Sequence, residues 1–178
     1  MNKVEASRVL ALYADGTLSF PPLDLSRAEL FDVHLPRIEL QGSNLEQAYM
    51  PYSNLRQAQL QKVNFWGANL SKAKLDGANL VRANLEGVNL YLASLENTDL
   101  SGANLAGANL QAVNLSGASL VGANLTLANL SGANLKNTNF DRAICCKTKF
   151  YHCRNLNVSS ALVDALSVGV YGLPLIDT

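Results

Sequence analysis

From Leu25 to Phe150 every fifth residue is large and apolar, and the frame runs through 26 consecutive units without an insertion. The series is Leu25, Leu30, Leu35, Leu40, Leu45, Met50, Leu55, Leu60, Phe65 and onward to Phe140, Cys145 and Phe150; Cys145 alone departs from Leu, Met or Phe. Two positions earlier sits a small or β-branched residue, as at Ala28, Val33, Ile38, Ser43 and Ala48. A polar residue, most often Asn, stands between the two. Two variable residues follow, the second often Gly, as at Gly67, Gly77, Gly87 and Gly102.

A period of five excludes the two simplest elements. In an α-helix five residues advance about 500°, so successive leucines scatter around the axis and form no stripe. In a straight strand side chains alternate with period two, so an odd spacing puts successive leucines on opposite faces. The pattern closes only if the chain turns once per unit. Each unit is then one short extended side, with the small and the large apolar residue both facing inward. The polar residue between them faces outward, and the next two residues make the corner, where Gly supplies a positive φ at low cost. Repeated turning of one hand gives an all-β solenoid, a parallel β-helix whose sides stack about 4.8 Å apart. The period alone admits three sides per coil or four.

Units such as Ala68-Asn69-Leu70-Ser71-Lys72 and Ala103-Asn104-Leu105-Ala106-Gly107 resemble the pentapeptide-repeat family. The resemblance spans about residues 23–153, some three-quarters of the chain. It implies a right-handed quadrilateral parallel β-helix with short helical caps. At 20 residues per coil, 26 units make 6.5 coils and a rod on the order of 30 Å long.

The organisation expected is an N-terminal helical cap over 1–19, the β-helix over 20–154, and a C-terminal cap over 155–178. Exposed coil ends aggregate unless covered. Ala6, Val9, Leu10 and Tyr13 recur at helical spacing before Gly16. At the other end Ser159-Ser160 is expected to cap a helix over 161–168, and the apolar tail 170–178 to pack on the last coil or to form a homodimer through this end.

Chemistry is scarce. His34 and His152 fall at outward positions, and the glycines are corner residues at fixed period rather than a phosphate loop. Asp24, Glu29 and Glu39 are outward and unenclosed. Cys145, Cys146, His152 and Cys153 are four soft ligands in nine residues. However, the frame turns Cys145 and Cys153 inward on opposite walls and Cys146 and His152 outward, so they do not converge on a metal. No catalytic residue, cofactor or metal is expected, and the chain is read as not an enzyme.

The surface carries what function there is. One side places Phe31, Tyr49, Pro51, Tyr52, Tyr91 and Leu92 outward, with Trp66 on the adjacent side. Clustered exposed aromatics are typical interface anchors, so Phe31, Tyr49, Tyr52, Trp66, Tyr91 and Leu92 form the expected partner-binding face. The stretch from Leu100 to Leu135 holds no charged residue, and Asn recurs there at 104, 109, 114, 124, 129 and 134, where stacked amide ladders are expected.

The expected function is a non-catalytic scaffold or adaptor that binds a protein of unknown identity. The resemblance also implies an alternative, because members of the family inhibit or protect DNA gyrase by imitating the width and negative charge of a DNA duplex. Here 14 basic residues balance 14 acidic ones, and an acidic surface is what such mimicry needs. The same neutrality argues against direct nucleic-acid binding. The apolar runs are too short for a membrane span, and the N-terminus lacks a secretory h-region, so the default location is the cytoplasm. The resemblance implies a bacterial protein, since such proteins are numerous in photosynthetic bacteria and Leu10–Phe20 is similar to the lead-in some of them share. The neutrality is a sum of unlike blocks: residues 1–50 carry four basic and seven acidic residues, and residues 136–154 carry five and one.

Overall fold

In the computed structural model, which describes residues 5–163, the chain coils from Ser19 onward with a repeat of 20 residues. The outward residue of each unit bridges in parallel to the one 20 residues later, as in Asn44↔Asn64, Tyr49↔Asn69, Asn54↔Lys74 and Gln59↔Asn79. Four units therefore close one coil, which decides between three sides and four: the molecule is a right-handed quadrilateral β-helix. Side 1 carries Ser19, Glu39, Gln59 and their successors; side 2 begins at Asp24, side 3 at Glu29 and side 4 at His34.

Each short side is held to its neighbours by two ladder bonds. On side 2, Leu45 N–H donates to the Asn64 carbonyl at 2.7 Å, and Asn64 N–H to the Ser43 carbonyl at 2.9 Å. The corner closes with a turn bond, as from Ala48 N–H to Leu45 C=O at 3.0 Å. At all 26 corners the second residue has positive φ, whether it is one of nine glycines or one of seventeen other residues, Arg27, Tyr52 and Leu127 among them. That position in such a turn requires a left-handed backbone. Gly is the cheap solution and the stack imposes it on the rest.

The interior is filled by side chains. The Leu of every central position is buried, and so is the Ala two before it except at Ala28 on the first coil, with Leu105 and Ala123 at 0% exposure. Larger residues at the small position fit as well, Ile38 and Val63 being fully buried. Near the C-terminal end Phe140 and Phe150 meet edge to face at 6.2 Å, filling the volume that Leu fills elsewhere.

Helix α1 (Ala6–Ala14) lies over the first coil. It buries Val9, packs Leu10 and Tyr13 against the core, and donates the Tyr13 hydroxyl to the Pro36 carbonyl at 2.9 Å. Ser19 already bridges to Glu39, so the ladder starts before Pro21-Pro22. The expected C-terminal helix over 161–168 is not what residues 161–163 form. Leu162 bridges to Ile144; its N–H donates to Ala143 at 2.8 Å and its carbonyl accepts from Cys145 at 2.7 Å. The open edge of the preceding coil offers unpaired backbone groups, and pairing them wins over a helix start. The rest of that helix and the tail 170–178 lie outside the described residues.

A candidate protein-binding face

Side 3 runs from Glu29 through Tyr49, Asn69, Asn89, Asn109 and Asn129 to Lys149. One edge is the corner bearing Trp66, Ala106 and Leu127; the other bears Phe31, Tyr52, Tyr91 and Leu92. The solenoid sets these columns. Residues 20 apart are stacked on one another, so widely separated aromatics share a face.

Phe31 sits against Tyr49 (ring centroids 6.4 Å apart, nearly parallel) and against Tyr52 (5.7 Å, edge-on). Packing together does not cover them: Phe31 stays 58% exposed and Tyr52 46%. Lys72, one coil above Tyr52, donates Nζ–H to its hydroxyl at 2.8 Å and lies 4.8 Å from the ring centroid. That hydrogen bond raises the ammonium pKa above its ordinary value. Trp66, Tyr91 and Leu92 are all exposed, and Tyr91 and Leu92 continue the Tyr52 edge two coils up. Pro51, expected outward with them, is buried, because the corner stack places it between Phe31 below and Ser71 above. Leu127, 60% exposed on the Trp66 edge, was not expected among them. The 20-residue stacking places it, since it stands four coils above Gln47 at a second corner position.

Between the two edges lies an amide ladder. Asn109 Nδ2 donates to Asn89 Oδ1 at 3.1 Å, and Asn89 Nδ2 to Asn69 Oδ1 at 3.4 Å. Each Oδ1 also accepts the backbone N–H two residues on, as from Tyr91 to Asn89 at 3.1 Å. Similar ladders occur on side 2, as from Asn124 to Asn104, and on side 4, as from Asn134 to Asn114. The uncharged stretch thus carries part of the expected ladders, although Asn104 donates to Glu86 rather than to Asn84.

The other features are dispersed. His34 Nδ1 lies 3.1 Å from Asn54 Nδ2 on side 4, while His152 is at a left-handed corner after side 3. Asp24 accepts the Ser26 N–H and the Asn44 amide on side 2, Glu29 heads side 3, and Glu39 bridges on side 1. Cys145 and Cys153 face inward and are buried, and Cys146 is half-buried on a corner. Burial, and then the charge of Cys146, push the Cys145 thiol up to about 12; burial pushes Cys153 up to about 11. Cys153 Sγ–H donates to the Leu130 carbonyl at 2.9 Å.

Several hollows among the described residues lie on the outside of the rod, along the corner between sides 4 and 1. One of them, about 410 Å³, is a shallow groove lined by Pro36, Arg37, Arg56, Gln57, Asp76 and Glu96. Arg56 Nε donates to Asp76 at 2.8 Å, and the Ser94 hydroxyl and Glu96 N–H also bond this carboxylate. Burial by itself raises its pKa, but the Ser94, Arg56 and Glu96 bonds overcome that and hold it below the ordinary carboxylate value. The ion pair closes the chemistry of this groove on itself. No described helix is long and apolar enough to cross a membrane.

Five-residue sides, a 20-residue coil and a left-handed residue at every corner define a quadrilateral solenoid of the pentapeptide type. The model for pentapeptide repeats matches residues 28–67, 38–77, 68–107 and 108–144, in 8 copies, and the chain belongs to that family. Solved structures similar in fold include QnrB1, a plasmid-mediated fluoroquinolone resistance protein. It shares 17% identity over 82% of this chain and 79% of its own, with a TM-score of 0.48. A pentapeptide repeat protein of the Arabidopsis thaliana thylakoid lumen shares 34% over 47% of this chain and 61% of its own, TM-score 0.40. HetL of Nostoc sp. strain PCC 7120, involved in heterocyst differentiation regulation, shares 25% over 98% and 100%, TM-score 0.29. No curated protein matches the chain. No catalytic family is indicated.

Proposed function

We propose that the chain is a non-catalytic scaffold that binds another protein through side 3 and its two edges. One observation carries this. Seven of the eight large apolar side chains exposed between Ser19 and Phe150 lie there, namely Phe31, Tyr49, Tyr52, Trp66, Tyr91, Leu92 and Leu127, with Ile144 on side 2 the exception. Side 3 and its edges are three of the eight outward columns of the rod, counting four sides and four corners, so random placement would have scattered these residues. Exposed aromatics grouped in this way supply contact area at low entropic cost. Affinity capture from the native host, with the wild-type protein and with Tyr52→Ser/Tyr91→Ser, tests the proposal. Partners lost from the variant while it stays folded support it; capture insensitive to the pair of substitutions overturns it. The gyrase reading is disfavoured by the zero net charge of the chain, and inhibition of supercoiling at sub-micromolar protein would reverse that ranking.

A further inference from the structure

We infer that side 3 pairs with side 3 of a second copy of this chain, the two rods antiparallel. The inference rests on the reading of side 3 as the docking face and names its occupant. The seven levels of the side are charged only at their ends, Glu29 at one and Lys149 at the other, and both residues are exposed. Tyr49, Asn69, Asn89, Asn109 and Asn129 fill the levels between them. A two-fold axis across the face at Asn89 turns this sequence of levels onto its own complement. Glu29 then meets Lys149 twice, once at each end, as an isologous interface requires.

The edges fit the same operation. On one edge Tyr52 is brought over Gly132, and Tyr91-Leu92 meets itself on the axis. On the other edge Trp66 is brought over Ala106-Gly107. Two of the rings, Tyr52 and Trp66, thus face positions that carry little or no side chain, while Phe31 is brought over Tyr151-His152. Parallel rods would instead set Glu29 against Glu29 and Lys149 against Lys149, a like-charge pairing that costs affinity. Two like-charge meetings remain in the antiparallel arrangement, Glu86 with its copy and Arg27 with Lys147. Both lie on the Trp66 edge among exposed side chains, where salt weakens the repulsion.

Sedimentation of the full chain over a concentration series tests the inference, with circular dichroism confirming that each variant is folded. The expected result is a monomer–dimer equilibrium with a dissociation constant on the order of micromolar. It should weaken about tenfold or more in Glu29→Lys and in Tyr52→Ser/Tyr91→Ser, and recover in Glu29→Lys/Lys149→Glu. A dimer that Tyr52→Ser/Tyr91→Ser leaves intact overturns the surface. A dimer sensitive to the tyrosines but not rescued by the charge exchange overturns the antiparallel register. A monomer at every concentration overturns self-pairing; if the tyrosine variant still loses a captured partner, side 3 stands as a docking face for another protein.

Discussion

Asn64 donates its side-chain amide to Oδ1 of Asn44 at 2.9 Å and accepts the amide of Asn84 on its own Oδ1, also at 2.9 Å. The same oxygen accepts the Trp66 backbone N–H at 3.2 Å. The outward residue of the repeat therefore bonds along the rod and around the corner at once. Only a side chain with both donor and acceptor at this length does so, which is why Asn recurs where a merely solvated position would accept Lys or Glu. Asn64→Ala removes three bonds and is expected to cost about 1–3 kcal/mol. The midpoint of urea unfolding should fall with the m-value unchanged.

The interior admits no charge. Leu105, at 0% exposure, is walled by the coils above and below. Leu105→Asp is expected to prevent folding, because neither water nor a partner satisfies a carboxylate there. Leu105→Ala should fold and cost about 2–5 kcal/mol, the usual range for a cavity of that size. Soluble, protease-resistant Leu105→Asp protein would contradict the inward assignment.

The frame made the core legible before any coordinates. Leu105, Ala103 and their equivalents are named by period alone, because a period of five leaves one way to keep them together. The corner residues were only half legible: Gly67 and Gly77 advertise positive φ, whereas Tyr52 and Leu127 adopt it under constraint from the stack. Pro51 shows that an outward position is not always an exposed one, because a corner residue can be covered by the corners above and below it. At the end of the rod, Ser159-Ser160 carries the local signal of a helix cap, and the unpaired edge at Ile144 overrides it with a bridge to Leu162. The aromatic face needed the 20-residue stacking rule, which came from the resemblance and not from the period.

Gly117 is a corner where the glycine is required by a neighbour as well as by φ. Its φ is +70°, and a Cβ there would collide with Oδ1 of Asn97 one coil below. Gly117→Ala is expected to cost about 1–2 kcal/mol for the left-handed backbone, with a further increment from displacing Asn97. In an Asn97→Ala background that increment should vanish, so the two substitutions should be non-additive in a thermal or urea double-mutant cycle.

The three cysteines should differ in reactivity. The thiolate is the reactive form, and burial holds Cys145 near 12 and Cys153 near 11. At pH 8 a thiol-specific reagent is expected to modify one cysteine rapidly in the folded protein and all three after denaturation. Cys146→Ser should abolish the fast phase. Rapid labelling of Cys153 in the native state would show that the last coil opens readily.

Asp76 predicts the acid limb of stability. Its carboxyl is held below its ordinary pKa in the folded state by Ser94, Arg56 and the Glu96 amide, against the opposing effect of burial. A group whose folded pKa is depressed contributes stability that is complete above its unfolded value, about 3.9. That contribution is lost as pH falls through the folded value. Wild-type stability should therefore decline below about pH 4, on the scale of an ordinary Asp. Asp76→Asn should be less stable than wild type at neutral pH, and its curve should fall less steeply across the acid range, so that the two converge toward pH 2. Thermal melts in a buffer series read this directly. Parallel curves would mean that the Arg56–Asp76 pair contributes no pH-dependent stability.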